Sequence, residues 1–91
     1  MPIEMINIGF GNCVAGARVV AVARADSSPL KRLVETAAAE NRLVDATSGR
    51  KTRSIVITDS NHVLLSHQSP SAIRDKLVGR VEATTDDEGD E

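Results

Sequence analysis

The sequence predicts an α+β domain, a mostly antiparallel sheet with two helices in the order ββαβββα. Three observations carry this. Two Ser-Pro pairs, Ser28-Pro29 and Ser69-Pro70, each open a segment whose apolar residues recur at helical spacing. Short runs rich in Val and Ile, four to six residues long, fill the rest of the chain. Turn formers separate these runs at Gly9-Phe10-Gly11, Ser48-Gly49 and Asp59-Ser60-Asn61. At 91 residues the chain fits one domain, a size that buries a modest fraction of its surface and gains from oligomerisation.

Ile3 to Phe10 alternates loosely as a first strand, with Gly9 and Gly11 marking a bend or bulge. Val14 to Ala25 reads as the second strand, β-branched at Val19, Val20 and Val22, with Arg18 at its start and facing out. In Asp26-Ser27-Ser28-Pro29 a serine can cap free backbone N–H groups while proline occupies a first-turn position where its missing donor costs nothing. Leu30, Leu33, Val34, Ala37 and Ala38 then form one apolar helical face, and Asn41 can close the helix in the left-handed conformation. Leu43–Thr47 and Ser54–Thr58 read as strands joined by the basic turn Ser48-Gly49-Arg50-Lys51-Thr52-Arg53, a β-hairpin with a longer loop. A strand His62–Ser66 follows, then a shorter helix from Ser69-Pro70-Ser71 carrying Ile73, Leu77 and Val78. There is no repeat, linker or second domain.

The net charge of -2 conceals a segregation of acid from base. Setting aside the six acids of residues 82–91 leaves residues 1–81 with eleven Lys and Arg against seven acids, about +4. We therefore expect a basic domain over 1–81 and a disordered acidic tail over 82–91, a run with nothing apolar to bury. Cys13 is the only cysteine, which excludes an internal disulfide and a cysteine-based zinc site and fits a reducing cytoplasm. No positively charged leader precedes a long apolar run, and no stretch reaches the roughly 18 apolar residues of a membrane span. The expectation is a cytoplasmic protein without membrane partners.

Several chemistries are discounted. Gly9-Phe10-Gly11-Asn12-Cys13-Val14 begins like a dinucleotide fingerprint, but Val14 holds the third glycine position and no helix start follows. His62 and His67 are five apart, which in a strand sends them to opposite faces, so they read as surface histidines and not as metal ligands. Asp59, Ser60 and His62 have the residue types of a catalytic triad, yet neighbours within one turn cannot align nucleophile, base and orienting acid. Cys13 reads as a small packed residue. No enzyme activity, metal or cofactor is expected.

What remains is the cationic set Arg18, Arg50, Lys51 and Arg53. A turn holds its charges in water at fixed spacing, which suits a phosphate backbone. Arg50 and Lys51 are adjacent in the turn, whereas Arg53 starts the next strand and either joins them or turns inward to pair with Asp45. Arg18 joins only if its strand end lies near the turn, in the same protomer or a neighbour. Phe10 is the only aromatic residue, so base stacking has almost no means here. Double-stranded DNA held by its phosphates is favoured over RNA.

Several blocks in order resemble one bacterial family: Ile6-Asn7-Ile8-Gly9-Phe10-Gly11-Asn12, Pro29-Leu30-Lys31-Arg32, Leu43-Val44-Asp45-Ala46-Thr47 with Gly49-Arg50-Lys51-Thr52-Arg53, and Asp59-Ser60 with His62-Val63-Leu64-Leu65-Ser66. They look like the extracellular matrix regulatory protein RemA family, without a gap from about Ile3 to Leu77. The resemblance implies a core similar to the LytTR DNA-binding domain, and assembly through dimers into a ring that wraps promoter DNA. It also implies activation of biofilm-matrix and osmoprotection operons, placing the protein at the bacterial nucleoid. The family's DNA-contacting arginines fall on Arg18, Arg50 and Lys51. Departures are Ser48 where the family usually has tyrosine, Ala17 in place of a polar residue, and Lys51, a point charge where the family has a forked guanidinium.

The expected function is thus a non-enzymatic, ring-forming regulator of transcription. Two alternatives stand beside it: an oligomeric scaffold whose basic turns bind acidic protein partners, and a small RNA-binding module, which the aromatic count disfavours.

Overall fold

Strands with apolar residues on both faces need a layer packed on each, and this chain supplies one helix to either side. A computed structural model describes residues 4–79; the acidic tail expected over 82–91 lies outside the described residues. Met5–Gly9 (β1) and Asn12–Ala15 (β2) form an antiparallel hairpin, and a single 3-10 turn, Gly16–Arg18, leads to Val19–Arg24 (β3). Then come Ser28–Ala39 (α1), Leu43–Asp45 (β4), Ser54–Thr58 (β5), Val63–Ser66 (β6) and Pro70–Leu77 (α2). The last four strands, β3 to β6, make one sheet in the order β3-β5-β6-β4. The chain is α+β as expected. Pairing is antiparallel except between β4 and β6.

Two expectations are corrected. The single strand foreseen over Val14 to Ala25 is broken at the 3-10 turn, so three strands precede α1 instead of two. Gly16 is where the break falls: its N–H donates to Glu4 O at 2.9 Å, and a Cβ there would meet Ile6 Cγ1 at 3.2 Å. The second correction concerns the basic turn, which does not join a hairpin. Strand β4 pairs with β6 in parallel, and β5 lies between β3 and β6. Alternating apolar residues do not specify which neighbour a strand takes. Two strands separated by eight residues can pair as a hairpin or be held apart by an inserted third strand.

Period-two alternation then sorts the side chains. Val56 and Leu64 face the β1–β2 hairpin and α2, closing a core with Ile6, Ile8, Val14, Ala46 and Ile73. Ile55, Val63 and Leu65 face the other way, against Ala37 and the partly buried Leu30, Leu33 and Val34 of α1. Ser66 Oγ, on the hairpin face, donates to Ile8 O at 2.8 Å and ties the hairpin to the sheet through a buried bond.

Both helices start as their sequences predict. Ser27 Oγ accepts from Leu30 N and Ser69 Oγ from Ala72 N, with Pro29 and Pro70 in the first turns. At the end of α1, Asn41 takes φ 61°, and the N–H groups of Asn41 and Arg42 return to Ala38 O and Ala37 O. This is a Schellman closure built on asparagine. Ala38 and Val78, foreseen on apolar faces, are exposed.

Candidate nucleic-acid interface

The topology decides what the basic segment can do. Because β4 lies beyond β6 and β5 lies before it, residues 46–53 must cross the C-terminal end of β6. The crossing is pinned on both sides: Ala46 N donates to Leu65 O and Arg53 N to Ser66 O, each at 2.9 Å. Inside it, Asp45 Oδ1 accepts from Thr47 N at 2.9 Å and from Thr47 Oγ1 at 2.6 Å, and Arg50 N donates to Thr47 O at 2.9 Å. The bonds from Thr47 hold the Asp45 carboxyl below the usual carboxylate range, outweighing desolvation. Ser48 and Gly49 follow in the left-handed region, at φ 53° and 83°, which turns the chain so that Arg50 emerges into solvent.

Arg50 stands over a platform. Its guanidinium carbon lies 5.6 Å from the centre of the Phe10 ring, and that ring packs, tilted, on His67 with centroids 4.6 Å apart. A contact of this kind at an exposed site contributes about 0.5–1 kcal/mol, enough to bias the side chain's direction. Gly9 makes the platform possible, since a Cβ there would sit 2.6 Å from His67 Cε1. His67, expected on the surface, is half-buried for this reason.

Lys51 and Arg53 leave the loop on a different flank, where they line a cleft with Arg24 and Arg74. Arg53 does not pair with Asp45, whose carboxylate is taken up by Thr47. Arg18 is not part of this group within one protomer. The β3–β5 register sets Arg24 opposite Ser54 and Val19 opposite Thr58, so Arg18 lies at the far end of β5 from Arg53. Four strand steps separate these ends, about 13 Å. Arg18 is braced there by Asp59, with Nε donating to Oδ1 at 2.9 Å and Asp59 N donating to Arg18 O.

Arg24 and Arg74 were not foreseen as members of the cationic group. The missing signal was strand pairing: once β3 lies beside β5, the arginine ending β3 must lie beside the one preceding β5. The discounted chemistry also has a definite geometry. Ser60 Oγ is 2.8 Å from His62 Nδ1, but Asp59 is engaged by Arg18, so the three residues do not form a relay. Cys13, read as packed, is exposed, because Val14 takes the inward position on β2. Among the described residues no group of three His, Cys, Asp or Glu could hold a metal, and no helix is long and apolar enough to cross a membrane.

Comparison with known proteins bears on the whole of this scaffold. Residues 5–77 match a family model described as RemA-like, extracellular matrix regulatory protein A-like. Proteins of Fervidobacterium nodosum and Thermotoga maritima are each 57% identical over 74 residues, covering 81% of this chain and 80% of theirs. A protein of Brevibacillus brevis is 46% identical over 91 residues, the full length of both chains. All three carry the name "Putative regulatory protein". The matched span runs from the first strand to the last helix, and the chain belongs to the RemA-like family of regulatory proteins.

Proposed function

We propose that this protein regulates transcription by binding duplex DNA as a closed homo-oligomer built from dimers, with a core of the LytTR kind. Arg18, Arg50 and Lys51 contact phosphates, and Arg53 either assists them or braces the turn. The observation that carries this reading is the basic loop itself. It is tied to β6 at both ends, and its Arg50 is propped on Phe10 with no carboxylate partner among the described residues. A guanidinium biased in direction and unpaired is prepared for a phosphate, because part of the conformational entropy of contact is already lost.

The distance between Arg18 and the loop supports the oligomeric part of the reading. A single protomer offers two separated cationic points, whereas neighbouring copies can bring the Arg18 end of one beside the loop of the next. The sheet edges favour such contacts: β3 and β4 are both outermost, with Val20 66% and Val44 43% exposed. Repetition around a ring supplies affinity by avidity, and sequence preference by DNA bending and not by base reading. The sole aromatic, Phe10, already packs on His67 and carries Arg50, so a run of stacked single-stranded RNA bases finds little support here. Genes for biofilm matrix and stress response are the proposed targets.

Substituting Arg50→Ala tests the reading. Binding to a promoter-length duplex should be lost while the oligomer persists; a variant that still shifts DNA at the wild-type concentration contradicts it. For three phosphates per protomer, the logarithmic salt slope should approach roughly -2.7 per engaged protomer.

A further inference from the structure

The cleft behind the loop has no part in the contacts just described, apart from Lys51 and Arg53. Its volume is about 470 Å³, within the usual range for small-molecule sites. Four cations converge on it from three elements: Arg24 from the end of β3, Lys51 and Arg53 from the loop, and Arg74 from α2. Asp26 is the one acid in the lining, so the walls carry a net charge of about +3. Arg24 is held by Asp26 at 2.8 Å and Arg74 by Asp75 at 2.9 Å, both pairs largely exposed and therefore weak. Lys51 and Arg53 have no carboxylate in ion-pair contact among the described residues, and Arg53 is half-buried. An unpaired guanidinium at the wall of a cleft keeps its planar fork of N–H donors free for an incoming anion.

The shape distinguishes among anions. A duplex presents a convex surface with single charges spaced along each strand, and it meets protruding side chains such as Arg50. A concave site with several converging cations matches multiple charges on one compact molecule. The lining contains no aromatic side chain to grip a flat ring. We propose that this cleft binds a small oligophosphate, with Lys51 and Arg53 as its primary ligands. Arg24 and Arg74 close on it by exchanging their exposed carboxylate partners for phosphate oxygens. Because Lys51 also belongs to the proposed DNA surface, occupancy of the cleft lowers DNA affinity; this second consequence alone rests on the DNA-binding reading.

Calorimetric titration of the full chain with inorganic triphosphate at low ionic strength tests binding without reference to DNA. Wild type should show saturable binding, one triphosphate per protomer. Arg53→Gln, and separately the surface pair Arg24→Gln with Arg74→Gln, should weaken it by at least about tenfold. Arg50→Ala should leave it unchanged. No saturable heat with wild type overturns the proposal, as does an equal loss in Arg50→Ala, which would mean diffuse attraction to a basic surface. In a DNA-binding assay at matched ionic strength, triphosphate should displace wild type but not the Arg24→Gln, Arg74→Gln variant. If that variant loses duplex binding while triphosphate never binds, the cleft is an extension of the DNA surface and the oligophosphate site is refuted. Failure of wild type to bind DNA leaves the calorimetric result standing, so the two readings fail separately.

Discussion

Removing a negative charge from a DNA-binding surface ordinarily strengthens binding, and Asp45→Ala is expected to do the opposite. Asp45 lies at the base of the basic loop, and simple charge counting treats it as a repulsive neighbour of Arg50 and Lys51. In the fold, its Oδ1 accepts two bonds from Thr47, and Thr47 in turn accepts the Arg50 N–H that closes the turn. Thr47 is only 3% exposed, so truncating Asp45 leaves a buried hydroxyl and N–H without their acceptor. Bonds to a charged group contribute about 1.5–3 kcal/mol each when shielded, but Asp45 is itself exposed and water competes, so a total of about 1–2 kcal/mol is reasonable. For a domain of this size that is a fall in Tm of roughly 5–15 °C, measured at fixed protein concentration. Affinity for duplex should fall by about three- to tenfold as Arg50 loses its fixed position. Thr47→Val should reproduce much of the effect, and the double variant should be little worse than Asp45→Ala alone, as for residues sharing one interaction. An Asp45→Ala protein with unchanged Tm and tighter DNA binding would refute the claim that loop geometry, more than summed charge, makes this surface.

The same carboxyl supplies a pH test. Its folded pKa is depressed, so the stabilisation it gives is fully present above its unfolded value of about 3.9 and is lost as pH falls through the lower folded value. The stability gap between wild type and Asp45→Ala should therefore be flat from pH 7 to 5 and close below pH 4, as read by urea denaturation across that range. Gly9→Ala should displace His67, since its new Cβ would meet the ring at 2.6 Å and its φ of 115° is strained for alanine; the shift should appear in the His67 and Phe10 NMR resonances, with weaker DNA binding. Ile73→Ala, at a side chain with no exposed surface, should cost about 2–5 kcal/mol in denaturant unfolding. Deleting residues 82–91 should maintain or raise DNA affinity; collapse of the oligomer would instead favour the scaffold reading.

Features coded by adjacent residues were legible in the sequence. Ser27 and Ser69 cap their helices beside Pro29 and Pro70, and Asn41 closes α1, because each acts on backbone groups within a few residues of itself. Strand existence was legible for β5 and β6. Strand partnership was not: nothing local to Leu43-Val44-Asp45 says that it lies beside β6 and not beside β5, since either arrangement buries one face. The break at Gly16 depends on Ile6, ten residues away, and the exposure of Cys13 depends on which face of β2 meets the core. Legibility of the candidate site divides along the same line. The loop cations are visible as a cluster, whereas Arg24 joins it only through the β3–β5 pairing and Arg74 through the packing of α2 beside β3, and the support of Arg50 by Phe10 and His67 joins residues 40 and more apart.

The central claim is that cations held on a symmetric assembly grip the outside of a double helix. Native mass spectrometry of the purified chain at low ionic strength, alone and with a long duplex, tests it in one experiment. One closed oligomer of even subunit number should take up DNA intact and lose it on Arg50→Ala substitution. A monomer that ignores the duplex under the same conditions would contradict it.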